Sequence, residues 1–309
     1  MSSETMRNNT TGLEQILAMA NNLPDANSSG IDSDLNVLVI GDSLFGGNTG
    51  RTFLDELGCN IENLAVVGAS LSEVATNTTD DGTLNSIGTQ MYSHYYKFNK
   101  GLIPEPDVIL MDGGGNDYIL SSPMGNLLSD RPTHYIDGGV KPSMFDFTTV
   151  MGGLEKVLHY ASYYKNAQKF FLIMHRVNQT SKTTLVNGKH CYWSSDKCNA
   201  GYNYDTLREN IIKACNMYGV KVIDIYNDSC LSMIPMQEGE PDAKDGYWHI
   251  SGQNTKVEDS VTVKSKILCA NLTYFDWKGI HPTLTGYRIG YKKHILQALR
   301  LATKKGVSE

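Results

Sequence analysis

Ser43 and His281 are the residues of this sequence whose types and setting most clearly permit nucleophilic chemistry. Ser43 lies in a tight Gly-Asp-Ser-Leu turn just after a short apolar run. A serine hydroxyl becomes a good nucleophile only with an adjacent base. His281, in a loop ahead of the last predicted helix, is the best candidate for that base. Taken alone, Ser43 has a simpler explanation as a helix N-cap or turn residue.

Gly68 and Asn116 supply a second requirement of acyl transfer. The tetrahedral intermediate carries an oxyanion, which needs preorganised hydrogen-bond donors. Gly68 could offer a backbone N–H with no side chain in the way, and Asn116 could offer its side-chain amide. Each residue also has an ordinary explanation in a turn. Their shared position after predicted strands is much harder to explain by chance.

The elements that must position these residues alternate between short apolar strands and helices. Strands are predicted at residues 35–40, 61–67, 106–111, 170–174 and 220–225. Helices are predicted at about 51–57, 84–98, 144–164, 204–218 and after Pro282. This alternation is typical of a parallel sheet covered on both faces. Ligands of such sheets bind beyond the carboxyl ends of the strands, so the candidate residues should share that edge.

Charge and composition argue against several classes of function. Lys and Arg number 27 and Asp and Glu 33, which gives a net charge of −6 and no basic footprint for nucleic acid. No apolar run of about 18 residues predicts a membrane span, and the N-terminus lacks the apolar core of a signal peptide. No His or Cys spacing predicts a metal site, and we expect no cofactor. Compartment and oligomeric state stay open.

The chain is predicted to form one domain over residues 35–305, after an N-terminal extension, 1–34, that contains a short helix. Two polar, irregular insertions interrupt the domain at 177–202 and about 228–275. Loops of this length in a compact domain are usually functional or mobile.

Three tryptophans and two cysteines lie in or beside the insertions, and the sequence allows two interpretations of each group. The three tryptophans could stack on sugar faces or form small satellite cores; they are Trp193, Trp248 and Trp277. Cys191 and Cys198 flank a short loop, and the sequence is equally compatible with a disulfide bridge and with two free thiols.

Four sequence blocks resemble the GDSL, or SGNH, hydrolase family. In family order they are Gly41-Asp-Ser-Leu44, Gly68, Gly114-Gly-Asn-Asp117 and Gly279-Ile-His-Pro282. The resemblance implies a three-layer α/β/α sandwich with a flavodoxin-like, mainly parallel five-stranded sheet, and ester hydrolysis through a serine acyl-enzyme. It implies that Ser43 is the nucleophile and first oxyanion donor. Gly68 and Asn116 would then be the other donors, and His281 the general base.

One position departs from the family pattern. The acid that orients the histidine usually lies three residues before it, where this sequence has Lys278. The nearest acid is Asp276, five residues before His281, and a bulged loop would bring it to the imidazole. Otherwise a backbone carbonyl orients His281, or the site has lost its activity.

Three substrate interpretations follow. The polar insertions, the tryptophans and the lack of a lipase-like apolar lid favour an esterase that removes acetyl groups from a carbohydrate. A lipid or thioester hydrolase of the same fold is the first alternative. A non-catalytic glycan-binding domain, supported by Lys278, is the second. The expected partner is an acylated saccharide or another small ester.

Overall fold

The computed structural model describes residues 31–73, 85–128, 141–176, 197–233, 274–275 and 280–303, and the backbone of several short strands outside them. Its centre is a sheet of five parallel strands: β1 (Asn36–Ile40), β2 (Asn60–Asn63), β3 (Val108–Asp112), β4 (Gln168–Ile173) and β5 (Lys221–Asp224). Their spatial order is β2-β1-β3-β4-β5. This is the flavodoxin-like order, so the predicted fold class is confirmed.

Helices cover the sheet in two groups. They are α1 (Ser43–Gly46), α2 (Asn48–Asp55), α3 (Ile87–Asn99), α4 (Gly115–Leu120), α5 (Val150–Ala161), α6 (Tyr204–Met217), α7 (Ile225–Asp228), α8 (Leu284–Gly290) and α9 (Lys292–Thr303). In one group α5 packs between α3 and α6, and in the other α8 packs between α2 and α9. Because crossover connections are right-handed, the two groups lie on opposite faces of the sheet.

The burial of β3 explains why its sequence lacks alternation. All five residues of β3 are buried, as expected for a strand with helices on both faces. In one layer, side chains cap the N-termini of helices. Ser86 accepts a hydrogen bond from Thr89 N at 3.1 Å, and Asn203 accepts one from Thr206 N at 2.9 Å. These caps satisfy backbone donors that helix N-termini leave free.

The second strand is shorter than predicted, because β2 ends at Asn63 rather than at residue 67. The apolar run continues beside β1, where Leu64 N donates to Val39 O at 2.9 Å. Asn63 ends the regular pairing, because its side chain accepts from Ala65 N and donates to Phe45 O. Gly68 is therefore five residues beyond the strand instead of at its end.

Two predicted helices also differ from the structure. The helix predicted over 144–164 is confined to α5, because Thr149 caps it through Gly152 N at 3.2 Å. The last helix is divided into α8 and α9 at Tyr291. The Tyr291 hydroxyl lies 2.7 Å from His175 Nδ1, which anchors the break to the end of β4.

Several predictions fall outside the described residues. The predicted N-terminal helix lies within residues 1–30, and most of the two insertions is likewise not described. Within them three antiparallel strand pairs have a described backbone: Leu185–Val186 with Lys189–His190, Gln237–Gly239 with Ile267–Cys269, and Tyr247–Ile250 with Gln253–Lys256.

Cys198 is buried with a free thiol, whereas Cys191 lies outside the described residues. None of the helices in the described part of the chain is long and apolar enough to cross a membrane.

Candidate active site

Three sequence-predicted residues meet at the carboxyl edge of the sheet, where the strand order reverses. Ser43 is the first residue of α1, just after β1, and Asn116 is in α4, just after the neighbouring β3. His281 lies three residues before the start of α8 at Leu284. Ser43 and Asn116 line the same small cleft. A switch point of this kind is the usual ligand site of an open α/β sheet.

Ser43 and His281 form the central contact of the site. Ser43 Oγ lies 2.8 Å from His281 Nε2, and both residues are partly exposed. When Nε2 carries no proton, the serine hydroxyl donates to it, and the imidazole can remove that proton as Oγ attacks an electrophile. The pair therefore has the geometry of a nucleophile and its general base.

The C-terminal segment fixes this pair from two directions. Tyr287, in α8, donates a hydrogen bond from its hydroxyl to Leu44 O, in the turn that carries Ser43. Thr283 N donates to Tyr274 O at 2.8 Å, and Phe275 forms an antiparallel bridge with Pro282. The loop that carries His281 is thus held at its base.

Asn116 connects the third block to the loop that contains Gly68. Asn116 Nδ2 donates to Ala69 O at 2.8 Å, and Gly68 has a φ of +82°, which favours glycine. A primary amide has two N–H donors, so Asn116 retains a second one beside the Ser43 cleft. Gly68 is partly exposed and does not line that cleft.

Asp117 fixes the other end of the same loop. Its carboxylate accepts hydrogen bonds from Leu71 N and Ser72 N, each at 2.8 Å, and from Ser72 Oγ at 2.6 Å. Burial raises the pKa of Asp117, and these hydrogen bonds oppose that rise. The side chain therefore has a structural role, which keeps the Gly68 loop close to Asn116.

Asp42 and Asp112 lie buried beneath Ser43, and sequence reasoning assigned neither a role. Asp42 caps α1 by accepting from Leu44 N at 3.0 Å, while Asp42 N donates to Asp112 Oδ1 at 2.7 Å. Burial raises the pKa of Asp42 to about 6, and the Leu44 hydrogen bond and the His281 charge oppose this. Burial, followed by the Asp42 charge, raises the pKa of Asp112 well above its usual range. The sequence did contain one signal for Asp112, because it is a polar residue at the end of an otherwise apolar strand.

The cleft at Ser43 is small. Its apolar lining comes from Leu44, Ile119, Met174 and Ile280, and its cavity volume is only about 10 Å³. That is about the space one water molecule needs. The described residues therefore leave little preformed space next to Ser43 and Asn116.

The remaining predicted site residues cannot be located from the described part of the chain. Asp276, Lys278, Trp193 and Trp277 lie outside it, and Trp248 is in a short strand of which only the backbone is described. Among the residues that are described, no three His, Cys, Asp or Glu side chains are grouped to hold a metal ion.

Comparison with known proteins shows the fold. No family model and no curated protein sequence matches the chain. A solved structure from Chitinophaga pinensis, described as a possible lipase, shares 19% identity and a TM-score of 0.51 over 89% of this chain and 100% of that one. At that identity the likeness shows a shared fold alone.

Weaker structural matches include two proteins named for the same motif. A GDSL-like lipase from Bacteroides ovatus has 16% identity and a TM-score of 0.41, over 89% of this chain and 100% of that one. A lipolytic G-D-S-L family member from Veillonella parvula has 14% identity and a TM-score of 0.41, over 84% and 95%.

Proposed function

We propose that this chain is a serine esterase of the GDSL type, which removes acetyl or other short acyl groups from a carbohydrate. The observation that supports this most directly is the 2.8 Å contact between Ser43 Oγ and His281 Nε2 at the switch point of the sheet. The four sequence blocks and the fold shared with a lipase-named protein add to it.

The proposed reaction has two steps. His281 takes the Ser43 proton as Oγ attacks the ester carbonyl, and the resulting oxyanion is stabilised by the Ser43 N–H and the Asn116 amide. We assign the third donor to the Gly68 N–H, although Gly68 lies outside the described cleft, because Asn116 holds its loop through Ala69 O. The protonated imidazole then donates its proton to the departing alcohol, leaving an acyl-enzyme. In the second step the imidazole takes a proton from a water molecule as that water attacks the acyl carbon, and it gives the proton to Ser43 Oγ as the bond to the acyl group breaks and the acid leaves.

Asp276 is our candidate for the acid that orients His281. The antiparallel bridge between Phe275 and Pro282 brings together the chain neighbours of Asp276 and His281. This supports their pairing despite the five-residue spacing. Lys278 would then not mark an inactive site.

The small cleft supports a short acyl group. The cleft lined by Met174, Ile119 and Ile280 has a cavity volume of only about 10 Å³, which favours acetyl over a long acyl chain. The polar insertions, and the tryptophans in or beside them, support a carbohydrate as the alcohol part of the ester.

The first experiment compares the parent enzyme and Ser43→Ala on p-nitrophenyl esters of increasing acyl length and on an acetylated oligosaccharide. We expect highest kcat/KM on acetate, acetate release from the saccharide, and loss of nearly all activity in Ser43→Ala. Activity that rises with acyl length would indicate a lipid or thioester hydrolase instead. An inactive parent that binds the saccharide would indicate a glycan-binding domain.

A second experiment tests the acid. Asp276→Asn should lower kcat by up to about 10⁴-fold, because the histidine loses its orienting carboxylate. The double variant Asp276→Asn/Lys278→Asp places an acid at the usual family spacing and serves as a matched comparison. An unchanged kcat in Asp276→Asn would show that another group orients His281.

A further inference from the structure

The peptide segment that precedes Ser43 is clamped from two sides. The Gln90 side chain, on α3, accepts from Gly41 N at 3.0 Å and donates to Gly41 O at 2.9 Å. Asp112, the last residue of β3, accepts from Asp42 N at 2.7 Å. Side chains thus bind three consecutive backbone groups directly before the serine, and in this way the turn is joined to β3 and α3.

The Asp112 carboxyl occupies space that a side chain at position 41 would fill. A Cβ built on Gly41 would overlap the Oδ1 atom and the carboxyl carbon of Asp112. Gly41 has an ordinary negative φ, since it is not among the residues with positive φ. The absence of a side chain at position 41 therefore serves close packing against Asp112 and is not needed for backbone conformation.

Asp112 is also an unusual group to find in this place. It is completely buried, and within the described residues its Oδ2 atom has no hydrogen-bond partner. An ionised carboxylate in that setting is costly, and burial, followed by the Asp42 charge, raises the pKa of Asp112 well above its usual range. What distinguishes this carboxyl from an apolar side chain of similar size is the Oδ1 acceptor that it offers to Asp42 N.

We propose that Asp112 is a positioning residue for the nucleophile, which holds the Asp42 peptide through Oδ1 and so sets where Ser43 Oγ and the Ser43 N–H point. This inference rests on the proposed esterase function. Its physical basis is that small misplacements of reacting groups are expensive: a shift of about 1 Å can cost roughly 10²-fold in rate.

The first test compares two variants that both remove the acid. Asp112→Asn keeps an oxygen acceptor for Asp42 N, whereas Asp112→Leu keeps the volume and removes the acceptor. We expect Asp112→Asn to retain kcat within about threefold and Asp112→Leu to lose about 10- to 100-fold in kcat, with KM changed less than about threefold. Thermal unfolding of both variants checks that each is folded at the assay temperature.

The second test uses the overlap with position 41. Gly41→Ala should lower kcat by displacing the Asp112 carboxyl, and Gly41→Ala/Asp112→Ala should be no slower than Asp112→Ala alone, because the second change makes room for the methyl group. If the losses of kcat in Gly41→Ala and Asp112→Ala instead multiply in the double variant, the coupling between positions 41 and 112 is overturned.

The outcomes separate this inference from the proposed function. A parent enzyme that is active while Asp112→Leu keeps the parental kcat overturns the positioning role and leaves the esterase intact. Equal losses in Asp112→Asn and Asp112→Leu also overturn it, because they would show that the carboxyl itself matters and not its acceptor oxygen. A parent without esterase activity overturns the proposed function and this role together.

Discussion

Two histidine–hydroxyl pairs lie at opposite edges of the central sheet. At the carboxyl edge, Ser43 Oγ is 2.8 Å from His281 Nε2, and both residues are partly exposed. At the amino edge, Tyr164 OH is 2.6 Å from His94 Nδ1, and His94 Nε2 is 3.4 Å from a Glu62 carboxylate oxygen. The second set contains hydroxyl, imidazole and carboxylate, the same three groups as a catalytic triad.

Access and accessory donors distinguish the two sites. The amino-edge cavity is the larger of the two, with a volume of about 390 Å³, and His94 and Glu62 line it. Tyr164, however, is completely buried, and burial raises its pKa, so its hydroxyl cannot reach a substrate. At the carboxyl edge the serine faces a cleft that it shares with Asn116. A triad-like set is thus a sign of activity only where the nucleophile is reachable and donors face it.

Exchanging each histidine for glutamine tests this comparison most strongly. His281→Gln should lower kcat by at least about 10⁴-fold, because Ser43 loses its base. His94→Gln should leave kcat/KM on p-nitrophenyl acetate within about threefold. A large loss in His94→Gln at a temperature where the variant is folded would mean that the amino-edge pair takes part in the reaction.

Two asparagines provide the next test. Asn116→Ala should lower kcat by about 10²- to 10³-fold, as expected when one oxyanion donor is removed. Asn36, an exposed residue at the amino edge that binds Asp107, is the matched control, and Asn36→Ala should leave kcat unchanged. If both variants keep the parental kcat, the oxyanion would have to be stabilised without the Asn116 amide.

Enlarging the cavity at the carboxyl edge should change the selectivity for acyl-chain length, whereas enlarging the cavity at the amino edge should not. Met174 is buried at the end of β4 and lines the Ser43 cleft. Met174→Ala should raise the butyrate-to-acetate ratio of kcat/KM by about tenfold, the effect of one or two methylene groups in an apolar pocket. Ile61→Ala, at the amino-edge cavity, should leave that ratio unchanged. An unchanged ratio in Met174→Ala would place the acyl group elsewhere.

The smallest effects concern stability and have opposite pH dependence at the two edges. Burial raises the pKa of Asp112 above its unfolded value of about 3.9, so the stability it contributes is lost as the pH rises above about 4. Burial lowers the pKa of His94 below about 6.5, so its contribution is lost as the pH falls below that value. Each slope is at most about 1.4 kcal/mol per pH unit.

Urea unfolding at pH 5 and pH 8 measures this difference. Relative to the parent, Asp112→Asn should gain more stability at pH 8 than at pH 5, because it removes the cost of a buried acid. His94→Gln should gain more at pH 5 than at pH 8. The same pH dependence in both variants would contradict the assignment of a raised pKa at one edge and a lowered pKa at the other.

The sequence predicted the fold and the central pair because those features have local signals. Short apolar runs identified the strands, and turn residues after them identified Ser43 and Asn116 as neighbours. The end of β2 was misplaced by four residues, because Leu64 and Val66 stay beside β1 after regular pairing stops. A hydrophobic pattern does not distinguish a strand from a loop that continues along the same neighbour.

The supporting residues were missed for a different reason. Asp112 and Gln90 bind backbone groups in the turn before Ser43. Asp112 is 70 residues from Asp42, and Gln90 is 49 residues from Gly41. Tyr287 lies in the helix predicted after Pro282, and nothing in that pattern indicated that its hydroxyl binds Leu44 O. Such roles depend on which backbone groups come together in three dimensions, and no spacing in the chain records them.

The distance between Ser43 and His281 along the chain has a consequence for how the protein acquires activity. The two residues are 238 positions apart, so the site joins the beginning of the sheet to the last helices. Contacts of such long range close late in folding, after local helices have formed. During refolding from urea, helical circular dichroism should therefore recover before esterase turnover, and turnover would report the docking of α8 onto the nucleophile turn.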